Sequence, residues 1–227
     1  MALQVTSHWD RLPREIQEMI MKMADRQLHR ERLEQVCNHS DDITPCCPIH
    51  PKLRSVCMIL DLNGYRVSGK PFIIREMGWC NLQGQSDSVH FTHPMNYTQL
   101  SAKDKRTVSH VYNHVHGLRF QATAKEKALT QDQVETLIKT LYETYCNQDQ
   151  TVVAYKGGTL ERDVLKKLQL PHVDLEWFNC PKADQLVSSG FDPGPSCGHH
   201  RTAQNKKLIH CPKQETYLFY QWLTQHS

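Results

Sequence analysis

The chain has 227 residues and a mass of 26.4 kDa, room for one full-sized domain and a small appendage but not for three independent cores. Its 27 Lys+Arg against 24 Asp+Glu leave a formal charge of only +3, so any attraction to nucleic acid must come from a local patch. No run approaches the ~18 consecutive apolar residues of a membrane span, and the N-terminus lacks a secretory pattern. The nine cysteines, an odd number, suit reduced thiols and metal ligands better than a disulfide framework, so the expectation is an intracellular protein with no membrane partner.

The first expected element is an amphipathic helix, with Leu12, Ile16, Met19, Ile20 and Met23 on one stripe and Pro13 where a first turn tolerates it. Leu28, Leu33 and Val36 suggest a second, shorter helix, so residues 1–37 read as a small helical segment. Asp41, Asp42, Pro45, Pro48 and Pro51 then fill a stretch that neither helix nor central strand accepts, and 38–54 reads as a Pro-rich linker. The main domain is expected over 55–227. From Val56 an apolar run ends in Asp61 and reads as a buried strand. Pro71–Leu82 and Ser88–Thr92 are two more strands, joined by turn chemistry at 83–87, which makes a meander.

Ser101 to Asp104 is a helix-start box leading to Val108, Val111 and Tyr112. Thr130 to Gln133 repeats it before Val134, Leu137, Ile138, Leu141 and Tyr145. Thr151–Tyr155 reads as a strand, Leu160–Leu168 as a helix, Val173–Leu175 as a short strand, and Glu215–Thr224 as a final helix bearing Leu218, Phe219, Trp222 and Leu223. Strands later interleaved with helices imply a mixed α/β fold in three layers, a mixed sheet flanked by helices.

Asp61 stands where divalent-metal nucleases need an acid, at the end of a strand, although a carboxylate ahead of Gly64 can equally cap a loop. The element order, the triplet Asp61-Leu62-Asn63 and two later segments together resemble the ribonuclease H-like fold of DEDDh-type 3′→5′ exonucleases. The resemblance implies a first motif in which Asp61 holds metal, with Asn63, a neutral oxygen ligand, where the family has a glutamate. It implies a second motif in the strand and helix start at 152–161, with Glu161 at the acidic position. His210 and Glu215, five residues apart, match its last motif, the histidine activating water and the acid holding metal. The implied cofactor is Mg²⁺ or Mn²⁺, the implied partner is DNA or RNA, and the implied activity is metal-dependent 3′→5′ hydrolysis of phosphodiesters, weakened by these departures. Glu161 and Glu215 have a plainer reading as charges complementing a helix dipole.

Cys180, Cys197, His200 and Cys211 form a candidate structural Zn²⁺ clip over 180–211, with His199 as a competing ligand and unrelated buried thiols as the alternative. Cys37, His39, Cys46, Cys47, His50 and Cys57 are a second candidate group. His110 and His114 share a helix face, and with His116 and Gly117 they read chiefly as a polar helix end. His114, His116 and Lys156 are kept as possible substrate contacts. Lys103, Lys105 and Arg106, Lys166 and Lys167, and Arg201, Lys206 and Lys207 are basic groups that can meet phosphates. Finally, the segment from Trp9 to Ile20 resembles the opening of an F-box, which implies a protein partner for the N-terminal helix; the plainer alternative is an amphipathic helix that packs on its own sheet. The alternative function is thus a noncatalytic adaptor with an exonuclease-like recognition scaffold.

Overall fold

A computed structural model describes residues 51–200 and 210–226, within the second of two compact units into which the chain divides, Ile49–Ser227. The expected N-terminal helices, the F-box-like stripe and Cys37, His39, Cys46, Cys47 and His50 lie outside the described residues, as do Arg201, Lys206 and Lys207.

The elements are α1 (Pro51–Arg54), β1 (Val56–Tyr65), β2 (Ile73–Asn81), β3 (Ser86–Thr92), α2 (Ala102–His114), β4 (Leu129–Thr130), α3 (Gln133–Tyr145), β5 (Val152–Tyr155), α4 (Leu160–Lys167), β6 (His172–Asp174), α5 (Ala183–Ser188) and α6 (Pro212–His226). They build one sheet in the order β4-β3-β2-β1-β5-β6. β2 is antiparallel to both neighbours, whereas β5 is parallel to β1, β6 to β5 and β4 to β3. The hairpins account for the first pairings, and the helical crossovers that follow account for the parallel ones.

Helices cover both faces, giving the three-layer mixed α/β fold. On one face Leu218, Phe219, Trp222 and Leu223 of α6, with Ala183 and Leu186 of α5, pack on Val56, Ile59 and Ala154. On the other, Val134 and Ile138 of α3 and Leu165 of α4 pack on Met58, Leu60, Met77 and Val153. β1 therefore needs apolar residues on both its sides, which is why it reads as a nearly continuous apolar run. A third cluster, Tyr65, Val67, Ile73, Leu100, Val108 and Phe120, lies under α2.

Several boundaries depart from expectation. Asp61 does not end its strand, because β1 continues to Tyr65 through pairing with β2. What does end near Asp61 is the parallel ladder with β5, whose last pair is Ile59 with Ala154. A bulge follows between Asn63 and Gly64, opposite the extra residue Arg75. Glycine is required there, since a Cβ on Gly64 would sit 1.9 Å from the Ile73 carbonyl oxygen. Arg75 is fully buried, donates 3.0 Å to the Arg119 carbonyl and pairs at 2.6 Å with Glu126. Ser101 caps α2 as expected, its Oγ accepting from Asp104 N at 3.1 Å. At α3 the helix begins only at Gln133, whose Oε1 accepts from Thr130 N at 2.9 Å. α5 and the two-residue β4 were not expected, and α1 gives a single helical turn at the end of the proposed linker. Among the described residues no helix is long and apolar enough to cross a membrane.

Candidate functional site

β1 and β2 carry the frame of the site. Asp61 pairs directly with Gly78, so their Cα substituents face the same layer. A Cβ on Gly78 would fall 2.2 Å from the Pro212 carbonyl carbon and 2.6 Å from Lys213 N. The missing side chain therefore lets the first turn of α6 lie against the sheet beside Asp61. Glu215, in that turn, is brought in with it; its amide donates 2.9 Å to the Cys211 carbonyl. From the other side, the α4 start reaches β1 just beyond the parallel ladder, where Glu161 Oε1 accepts from Leu62 N at 3.0 Å. Gly157 and Gly158, both at positive φ, make the turn from β5 into that helix.

Asp61, Glu161 and Glu215, far apart in the chain, thus act on one another. Burial first, then the charges of Glu215, Glu161 and Glu76, hold the Asp61 carboxyl well above the usual carboxylate range. Glu161 is pushed up to about 7, chiefly by burial and further by Glu215 and Asp174, against the hydrogen bonds it accepts from backbone amides. Such a group of acids favours either a shared proton or a cation. The three oxygens do not close into a compact cage, because among the described residues another group alone has all its ligand atoms within 4.8 Å of one another.

The last motif is built differently from its expected form. His210 and Glu215 do not stand separately: Nδ1 and Oε1 lie 2.6 Å apart, so the carboxylate orients the ring. The His210 side chain remains about half exposed, at 48%. Asn63 donates from Nδ2 to the His210 carbonyl at 2.7 Å, tying β1 to the residue before α6. Its amide nitrogen is thus a positioning contact.

The compact group consists of Glu76, Cys197, His200 and Cys211, which can hold a metal ion. Three of these belong to the expected clip, and the fourth position corrects it. Cys180 lies in the apolar cluster with Leu175, Ala183 and Leu186, and burial pushes its thiol up to about 12, away from a ligand's thiolate form. Glu76, from the middle of β2, stands in its place. His199 is not a member either; its ring packs edge-on against His90 at 4.5 Å.

Around the group, His200 Nδ1 donates to the His116 carbonyl, which leaves Nε2 to face Glu76 Oε2 at 2.8 Å. Cys211 Sγ is 3.9 Å from Glu76 Oε1, and Cys197 N donates to Cys211 Sγ at 3.5 Å. The Cys197 thiol's hydrogen bond pulls Cys211 down to about 5 despite burial, with His200 assisting, while Cys197 itself is raised. His90, directly across the ladder from Glu76, lies 3.6 Å from Glu76 Oε1 and 3.7 Å from Cys197 Sγ.

The proposed substrate contacts fare unequally. His116 is buried and uses both ring nitrogens internally, Nε2 donating to the Gly64 carbonyl at 3.0 Å and Nδ1 accepting from Leu118 N at 3.1 Å. It is a structural residue, held neutral as burial lowers its pKa to about 4. His114 is exposed at the end of α2, 5.0 Å from the His110 ring, and Lys156 is half-buried just after β5. Of the basic pairs, Lys167 is engaged by Glu135. The six described cysteines are all free of disulfides. No known family model matches the chain, and no curated protein matches its sequence.

Proposed function

We propose that this protein is a metal-dependent nucleic-acid-processing enzyme, a 3′→5′ exonuclease-like hydrolase of the ribonuclease H-like type. The observation that supports it most is the mutual approach of Asp61, Glu161 and Glu215 at the place where the β1–β5 ladder ends. In this reading these acids, being hard oxygen donors, hold Mg²⁺ or Mn²⁺, and the cation supplies Lewis acidity and lowers the pKa of a bound water. His210, oriented by Glu215 and half exposed, accepts the proton of the attacking water. Asn63 fixes the backbone that carries His210 and contributes no charge, so one fewer carboxylate serves the metal and turnover is slow. Lys103 and Arg106, exposed on α2, are available to phosphates of the substrate strand. The thiolate-containing cluster takes a softer ion, zinc, and stays outside the chemical step.

The test is direct. Purified protein with end-labelled single-stranded DNA or RNA and Mn²⁺ is expected to shorten the strand from its 3′ end. Asp61→Ala and His210→Ala are expected to lower the rate by at least 100-fold, the scale on which general-base and metal-ligand losses act. No shortening by the wild-type protein, or equal rates for wild type and Asp61→Ala, would end this reading.

A further inference from the structure

We propose that Glu76, Cys197, His200 and Cys211 bind one zinc ion in a closed tetrahedral site that latches the start of α6 onto β2. Four observations carry the site. The donors are two sulfurs, one imidazole nitrogen and one carboxylate oxygen, the mixed set that suits a structural zinc. Their separation fits, since zinc–ligand bonds of roughly 2.0–2.3 Å give tetrahedral edges of roughly 3.3–3.8 Å, against 3.9 Å between Cys211 Sγ and Glu76 Oε1.

The donor atoms are also aimed inward. Glu76 Oε2 and His200 Nε2 are buried and, although 2.8 Å apart, neither is aligned for a hydrogen bond with any protein group. Both point at a common space. Finally, the outer contacts are those of a ligating histidine: the His116 carbonyl takes the Nδ1 proton and so fixes the ring with Nε2 as donor. The Glu76 and His200 side chains are 0% and 1% exposed, Cys211 is fully buried and Cys197 is half-buried; four protein donors complete a tetrahedral zinc, so no open position remains for water. The site is therefore structural and not catalytic.

Its position gives it a consequence. Cys211 immediately precedes Pro212, whose backbone rests on Gly78, and it follows His210; Glu215 is one helical turn on. The ion thus ties the residues that carry His210 and Glu215 to the strand facing Asp61. Binding takes the thiols as thiolates and releases their protons, and any on His200 Nε2, to solvent. The dependence of catalysis on this latch rests on the exonuclease reading, whereas the zinc site itself does not.

The experiment measures metal and structure before activity. Wild-type protein purified without added zinc is expected to carry one zinc per chain, and cobalt substitution is expected to show thiolate-to-cobalt absorption. Cys211→Ser and Glu76→Gln are expected to lose at least nine-tenths of the bound zinc, and Cys180→Ser to keep it. Hydrogen exchange on wild-type protein with and without a strong chelator supplies a second measurement that does not depend on the variants folding. Residues 196–200 and 210–216 are expected to lose protection on chelation while the centre of β1 keeps it. Absence of zinc and of the cobalt band, loss of zinc in Cys180→Ser, or unchanged protection on chelation would each overturn the latch. With zinc bound and no nuclease activity, the exonuclease reading alone fails; with full activity after zinc removal, the latch alone fails.

Discussion

Replacing Glu161 by Gln is expected to change the pH dependence of stability in a defined direction. Glu161 is 6% exposed, and burial, with Glu215 and Asp174 behind it, moves its carboxyl from an ordinary 4.5 to about 7. The native state therefore holds this proton more tightly than the unfolded chain does. The resulting stability is complete below pH 4.5 and is lost as pH rises through about 7. At about 1.4 kcal/mol per pH unit, the loss across that window is on the order of 3 kcal/mol. For a unit of this size it corresponds to ~6–12 °C in melting temperature. Gln keeps an oxygen for the Leu62 amide and has no proton to lose. Thermal unfolding followed by circular dichroism from pH 4 to 8, without added divalent cation, is expected to show Glu161→Gln equal to wild type at the acid end. At pH 8 the variant is expected to melt higher by roughly that interval. Millimolar Mn²⁺ should narrow the gap by stabilising wild type more than the variant, which keeps only two of the three proposed metal-binding acids. Parallel curves for the two proteins, or a gap that Mn²⁺ leaves untouched, would refute the reasoning.

Other perturbations test the frame. Gly78→Ala places a methyl where the Pro212 backbone lies, 2.2 Å from its carbonyl carbon, and since backbone cannot rotate away the cost is expected to be about 3 kcal/mol or more, with reduced metal content, read by urea unfolding and metal analysis. Glu126→Gln leaves the fully buried Arg75 without its charged partner at 2.6 Å and is expected to cost about 3–5 kcal/mol in the same unfolding measurement. His116→Ala is expected to lower melting temperature even in a protein whose nuclease activity has been removed by Asp61→Ala, because its ring nitrogens serve Gly64 and Leu118 and no substrate.

The layered fold was legible because its elements carry strong periodic signals. α3 shows Val134 and Ile138 at helical spacing, and β1 is apolar on both sides because it is central. Weak elements escaped: α5 has six residues and β4 two, too few for a period to register. The extent of β1 beyond Asp61 was hidden because Asn63 and Gly64 resemble turn residues, whereas here they form a bulge held by β2. Three of the four positions of the candidate metal group could be read from their residue types, because thiols and imidazoles are few. Glu76 could not, since carboxylates are common and its partners lie over 100 residues away. Its signal was the adjacent pair Arg75 and Glu76 inside the apolar run of β2. Two charges in a central strand must be paired or bound: Arg75 is paired with Glu126, and Glu76 faces His200 within the candidate metal group. Cys180 misled because sequence proximity to Cys197 says nothing about direction; its thiol points into the α5 cluster.

The two centres place opposite demands on the same turn of chain. Bringing Glu215 toward Asp61 and Glu161 sets like charges against one another, on top of the burial that already raises Asp61 and Glu161. Something must hold the start of α6 against that repulsion. The apolar stripe of Leu218, Phe219, Trp222 and Leu223 secures the helix further along, and at its first turn, where the repulsion acts, the buried Pro212 rests on Gly78 and Asn63 holds the His210 carbonyl. In the proposed latch, Cys211, bonded through zinc to Glu76 on β2, adds a further restraint at that end. The same contact removes the Glu76 charge from the set acting on Asp61, since a metal-bound carboxylate is neutralised locally. On these two proposals, a soft-donor site beside a hard-donor site is a physical division of labour: one ion would hold the helix so that the acids stay close enough to bind others.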